Sequence, residues 1–357
     1  MVVAIVAIML TLILVVGVHE AGHALAARLF GVTIRQISIG FGRSLFRWPS
    51  KNGCDWVWAL WPLGGSVSLL NSRIYPVVPS QYPYCFDKKP VWMRVCILLA
   101  GSFSNLVAAW LAFVLAFLLG ISYSLPIIQE VQEDSVAGKA GVLAGSQFIN
   151  VGGEPTPTWR DVSMQLLEHW GKKDLCVILQ KPNSGESIPI QLDLSRLSFV
   201  GHTVNMLSSL GIVPNVHAPK ALLRATSLVD AMHQANRAIV NLVYFFLIVL
   251  KQLITNLLPF SLLLGPLGLF AVTITSLSQG LAVFMYFIAT LSLSVGIFNL
   301  LPVPILDGGS ILYALVERLR GKPVSIAMEV LIHRLFFILL CVLLAHLFAN
   351  DLLRLHA

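Results

Sequence analysis

A chain of 357 residues with 57% hydrophobic and only 11% charged side chains carries under half the charge of a soluble domain, where about a quarter of residues are ionised. That balance excludes intrinsic disorder and an ordinary water-soluble fold, and it implies that lipid solvates much of the surface. The net charge of +7 sits beside apolar runs, which marks membrane orientation rather than nucleic-acid binding. Cys54, Cys85, Cys96, Cys176 and Cys341 form no Cys-x-x-Cys pair, so neither a disulfide framework nor a thiolate metal site is indicated.

Residues 1–18 hold no charged side chain and run straight into His19 and Glu20. Without a basic start or a small-residue cleavage site, the segment reads as a first transmembrane helix, 1–30, rather than a removed leader. Residues 31–94 follow as a loop carrying Arg28 at its edge and Arg35, Arg43, Arg47, Lys51, Arg73, Lys88, Lys89 and Arg94, against Asp55 and Asp87. Such an excess of cations is retained on the cytoplasmic side.

The uncharged stretch between Arg94 and Glu130 supplies a second span over 95–122. Residues 125–216 have the charge balance and turn residues of a small external domain. Within it Val177 and Leu179, then Ile188, Ile190 and Leu192, alternate as strands around the turn at 182–185, and 159–170 reads as a helix.

Residues 217–280 read as an amphipathic, membrane-associated segment, broken by Pro259, Gly265, Pro266 and Gly268. A third span at 281–309, a cytoplasmic loop at 310–330 with Arg318, Arg320 and Lys322, and a fourth span at 331–351 complete the chain. The expected fold class is a polytopic α-helical membrane protein with four transmembrane helices, both termini outside, and one external α+β domain.

His19-Glu20-Ala21-Gly22-His23 is the chemical centre. Residues four apart share a helix face, so His19 and His23 can present ring nitrogens to one ion while Glu20 stands beside a metal-bound water. Two neutral imidazoles suit zinc, and polar groups in an apolar helix usually mark function. The bland alternative is a surface histidine pair just past the helix end. Arg28 lies five residues beyond His23, which puts the motif about 8 Å from the cytoplasmic edge.

A catalytic zinc needs a third protein ligand. Asp307 ends the second long uncharged run, in Asn299-Leu300-Leu301-Pro302-Val303-Pro304-Ile305-Leu306-Asp307-Gly308-Gly309, where prolines break the helix and glycines free the backbone. On spacing alone, a helix-capping role for Asp307 is equally open.

These motifs, in this order, resemble the site-2 protease family of intramembrane zinc metalloproteases, and within it the bacterial RseP-type members. The likeness extends through Ile39-Gly40-Phe41-Gly42, Pro62-Leu63-Gly64-Gly65, Phe86-Asp87-Lys88-Lys89-Pro90, Ala100-Gly101 with Asn105, and Gly265-Pro266-Leu267-Gly268. It implies Zn2+ held by His19, His23 and Asp307, with Glu20 as catalytic base. It also implies a membrane-dipping β-hairpin at 61–69, substrate contacts from Asn299, Gly64, Gly65 and Asn105, and a PDZ-like external domain. Two departures stand out: Gly101-Ser102 replaces the family's Gly-Pro, and the external segment has room for one PDZ-type domain rather than two.

The implied function is cleavage of single-span transmembrane proteins already trimmed outside, such as an anti-sigma factor or a remnant signal peptide, in a bacterial inner membrane. Lipid and that substrate are the expected partners. A metal transporter would spread its ligands along a path through several spans, whereas these cluster at one level. An inactive relative would have no use for Glu20. His169, His202, His217, His233, His333, His346 and His356 lack a partner at ligand spacing.

Overall fold

A computed structural model describes residues 2–49, 54–182, 184–197, 206–255, 257–258, 260 and 263–356. Lys51, Asn183, His202 and Pro259 therefore lie outside the described residues. In chain order, α1 (Val2–Thr11) continues through a π-helical turn (Leu12–Gly17) into α2 (Val18–Leu29), and a hairpin of β1 (Ile34–Pro49) and β2 (Asp55–Leu69) follows. After two short 3₁₀ turns come α3 (Val91–Leu119), β3 (Ile121–Ser124), β4 (Ile128–Val131), α4 (Val136–Lys139), β5 (Gln147–Val151), β6 (Glu154–Pro155) and α5 (Trp159–Glu168). Then come β7 (Leu175–Gln180), β8 (Ser187–Leu192), α6 (Met206–Ser209), β9 (Ile212–Pro214) and β10 (Lys220–Leu223). The chain ends in α7 (Leu228–Ile254), α8 (Pro266–Ser278), α9 (Leu281–Asn299), α10 (Asp307–Arg320) and α11 (Ile326–His356).

Two compact units result: residues 1–116 with 270–343, and residues 117–269 with 344–357. In the first unit, the helices are apolar on nearly every side, as lipid requires. Small residues let them approach. A Cβ on Gly22 would lie 2.5 Å from the Ala100 carbonyl oxygen, and the Ser104 hydroxyl donates to the Val18 carbonyl at 3.0 Å, so α2 and α3 meet almost backbone to backbone. Gly296 of α9 does the same against Ser102, where an added Cβ would sit 3.2 Å from the carbonyl oxygen.

The β1–β2 hairpin doubles back on itself. Ile37, Ser38 and Ile39 face Val67, Ser66 and Gly65 on one side and Trp56, Val57 and Trp58 on the other. Gly40, Gly42 and Gly64 take positive φ, from 89° to 110°, which a side-chain-bearing residue resists. These bends turn two long strands into four short runs. Residues 65–69 form an outer run, paired only with β1 among the described residues. The hairpin rests on an apolar cluster of Ala24, Ala27, Val32, Ile34 and Ile97. Burial pushes the thiols of Cys54 and Cys85 up, which keeps them protonated and inert.

The second unit contains the small α+β fold expected of 125–216. An antiparallel sheet runs β6-β5-β7-β8, and β4 pairs with β9. The alternation read in the sequence holds: Val177, Leu179, Ile190 and Leu192 point into a core with Phe148, Val162 and Leu166. A reciprocal cap between Thr158 and Asp161 starts α5, satisfying two otherwise unpaired donors.

Among the described residues five helices are long and apolar enough to cross a membrane, 2–29, 91–119, 228–254, 281–299 and 326–354, one more than the sequence suggests. The additional one is α7. Just before it the Ala225 amide donates to the Phe117 carbonyl near the end of α3, and near its own end Gln252 donates to the Leu167 carbonyl of α5 at 2.8 Å.

Candidate metal centre and active site

His19 and His23 lie one turn apart on α2, and both are buried, 7% and 8% exposed. Their Nε2 atoms are 3.1 Å apart. Asp307 completes the set from 284 positions beyond His23, its Oδ2 lying 3.1 Å from His19 Nε2 and 3.2 Å from His23 Nε2. Three donor atoms thus form a near-equilateral triangle. Ligands about 2.0–2.1 Å from a tetrahedral zinc are separated by about 3.3 Å, so the triangle has the size of one face of that tetrahedron. Among the described residues this is the one cluster of three such side chains with metal-ligand spacing.

The surroundings select the right form of His23. Its Nδ1 lies 2.8 Å from the Ile97 carbonyl oxygen, an acceptor only, so Nδ1 carries the proton and Nε2 keeps a lone pair for a metal. Gly101 makes room for both rings: a Cβ there would fall 2.3 Å from His23 Nε2 and 2.8 Å from His19 Cε1. The carbonyl acceptor could not be picked out beforehand, because it leaves no trace in residue type. Gly101 stands in the motif Ala100-Gly101, but that motif does not reveal its role in making room for the rings.

Asp307 reaches the site through a broken helix. α9 stops at Asn299, and residues 300–306 turn through short-range backbone bonds, including Val303 to Leu301 and Leu306 to Val303. Pro302 and Pro304 cannot donate and so cannot extend the helix. Gly308 and Gly309 lie hard against that turn: a Cβ on Gly308 would meet the Leu301 and Leu300 carbonyl oxygens at 2.3 and 2.4 Å, and one on Gly309 the Val303 carbonyl at 2.2 Å. Asp307 opens α10, and its carboxylate lies 3.1 Å from His19 Nε2.

Glu20 lines a cavity of about 370 Å3. Its walls are apolar residues of the first helix, such as Ile13 and Val16, together with Ile39, Trp58, Gly64 and Gly65 of the hairpin, and Arg28 stands among them. A Cβ on Gly65 would lie 3.0 Å from Glu20 Cγ and 3.2 Å from Val16 Cγ1, so the outer strand passes directly beside the glutamate. The π-helical turn just before His19 belongs to this wall, and such wide turns recur at functional sites.

The four residues expected to touch substrate separate into two groups. Gly64 and Gly65 line the cavity, and Asn299 is half-buried at the end of α9 with its side chain unbonded among the described residues. Asn105 departs from the expectation. It is 0% exposed and points at the back of the His19 ring, its Nδ2 3.4 Å from Nδ1. In this arrangement its side chain lies behind the histidine.

The profile of peptidase family M50 matches residues 7–343. This chain belongs to peptidase family M50. The Escherichia coli K12 regulator of sigma-E protease RseP is 27% identical over 432 aligned positions, covering 95% of this chain and 96% of that protein. A Rhizobium meliloti protein named provisionally as a zinc metalloprotease is 29% identical, covering 96% and 94%. The regulator of sigma E protease from Haemophilus influenzae is 26% identical, covering 95% and 96%. The chain is accordingly a zinc metalloprotease, a multi-pass membrane protein of the site-2 protease family with an added β-containing unit, and the donor set on α2 and α10 has the chemistry and spacing that zinc requires.

Proposed function

We propose that this M50 protease hydrolyses peptide bonds inside the transmembrane helices of single-span proteins already trimmed on the outer side, in a bacterial inner membrane. The observation that carries the reading is the triangle of His19 Nε2, His23 Nε2 and Asp307 Oδ2, 3.1–3.2 Å on each side, opening beside Glu20. His19, His23 and Asp307 would hold the metal, which when bound would supply Lewis acidity that lowers the pKa of a water to about 7. Glu20, beside the triangle, would serve as the base that holds a proton taken from water and returns it to the leaving amine.

A helical substrate hides its carbonyls in its own hydrogen bonds, so it must unwind first. The unpaired edge of residues 65–69 supports a role as template, accepting the opened segment as an added strand and replacing its lost backbone bonds. Gly64 and Gly65 allow that strand to come close to Glu20. Asn299, with a free amide, holds its other side.

The small domain is a single PDZ-type module that excludes substrates with bulky outer portions. The names of two relatives as regulators of sigma-E protease support an anti-sigma factor as substrate class, with remnant signal peptides as the related alternative. Alignment to the E. coli relative spans 432 positions against 357 residues here, which supports one module where that protein carries more sequence.

The test is purified protein with a trimmed single-span reporter. Cleavage is expected, is lost with a zinc chelator and returns with added zinc. Glu20→Gln should lower turnover by at least about 10³-fold while zinc stays bound. Unimpaired cleavage by that variant rejects Glu20 as the base.

A further inference from the structure

Zinc binding through Nε2 of His19 sets a requirement at the opposite ring nitrogen. A neutral imidazole that donates its Nε2 lone pair to a metal carries its proton on Nδ1, and that N–H needs an acceptor. His23 has one in the Ile97 carbonyl, 2.8 Å away. His19 faces Asn105, whose amide nitrogen lies 3.4 Å from Nδ1 while its carbonyl oxygen Oδ1 is buried without any hydrogen-bond partner. Two N–H groups cannot bond to each other. The two ends of an amide are nearly the same size, so a half-turn about its last torsion exchanges them at no steric cost. That one rotation gives the His19 N–H its acceptor and turns the amide NH2 toward the side where Oδ1 has no partner among the described residues.

The position is held from behind. Ser292 of α9, 0% exposed, donates its hydroxyl to the backbone carbonyl of Asn105 at 3.0 Å, and Gly296 one turn later lets α9 close on Asn105 Cβ. Asn105 is therefore fixed to the α3 backbone at the depth of His19, with no solvent to compete for its amide.

We propose that Asn105 is a positioning residue for the metal: its side-chain oxygen accepts the Nδ1 proton of His19, which fixes the tautomer and ring angle of that ligand. The inference rests on His19 being a zinc ligand. It replaces the substrate contact expected of Asn105 and assigns the two histidines different supports, a backbone carbonyl for one and a side-chain amide for the other.

The experiment measures zinc affinity of the purified full chain by competition with a chromophoric chelator, for wild type, Asn105→Leu, Asn105→Asp and His19→Ala. Asn105→Leu keeps the volume and removes the acceptor; it should weaken zinc about 10–100-fold, the usual effect of losing such a partner, with the helical circular dichroism unchanged. Asn105→Asp keeps an oxygen toward Nδ1 and should bind zinc at least as tightly as wild type. Equal losses in both variants indicate a packing role and overturn the proposal, as does full affinity in Asn105→Leu. His19→Ala reports separately: zinc affinity that survives it removes His19 as ligand, and so the underlying reading, whatever Asn105 does.

Discussion

At the scale of single residues, the site depends as much on absent side chains as on present ones. Gly101 and Gly65 stand against different side chains of the helix carrying His19 and His23. The first leaves space for the imidazoles, and the second for the Glu20 side chain. Adding one methyl to each should therefore separate metal binding from turnover. Gly101→Ala drives a Cβ into both rings and should cost at least about tenfold in zinc affinity along with activity, since a packed helix interface cannot yield without strain of about 1–3 kcal/mol. Gly65→Ala would bring a Cβ to 3.0 Å from Glu20 Cγ and 3.1 Å from the Ser38 carbonyl oxygen, closer than ordinary contact, so it should displace Glu20, retaining zinc while kcat falls about tenfold. Zinc content and reporter cleavage measured on the same preparations check both. His19, Glu20 and His23 were legible because a helix converts their spacing directly into a shared face. Asp307 was not legible from spacing alone, since nothing local distinguishes a cap from a ligand brought across 284 residues.

At the scale of elements, irregular backbone does the positioning. The helix carrying the histidines widens to π geometry immediately before them, α9 stops at two prolines, and the hairpin bends at glycines. Sequence punctuation announced the second, because Pro removes a donor and breaks the helix, whereas the hairpin itself was implied only by the resemblance. The π-helical turn, Leu12–Gly17, is uniformly apolar and gave no sign. The turn before Asp307 offers the sharpest test. Gly308→Ala would place a Cβ 2.3 Å from a backbone oxygen that has no rotamer to change, so Asp307 must shift. Bound zinc and cleavage should both be lost, while the small domain, which has its own core, keeps its protease resistance. Wild-type zinc content in Gly308→Ala would show that the turn can relax without moving the carboxylate.

At the scale of the whole molecule, composition alone identified a membrane protein and charge balance separated the small domain from it. The number of crossings was harder to read, because α7 has the length and hydropathy of a span. Its contacts argue for another placement. The chain just before it is bonded to the end of α3 and its far end to α5 of the small domain, and the whole helix of about 40 Å lies within the second unit. Exposed Val240, Tyr244, Leu247 and Ile254 give it a lipid-facing side, while Gln234 and Arg237 supply polar groups, as in helices that lie in the interface. Reporters fused near residue 184 and near residue 257 should both read as external. Opposite readings at those two points make α7 a fifth crossing.

The central claim is that His19, His23 and Asp307 surround one zinc ion. X-ray absorption at the zinc edge of the purified protein measures this most directly. Two imidazole nitrogens and a carboxylate oxygen are expected at about 2.0–2.1 Å, with the oxygen contribution reduced in Asp307→Ala and zinc occupancy lowered. A sulfur shell near about 2.3 Å, or a spectrum and occupancy unchanged in Asp307→Ala, contradicts the claim.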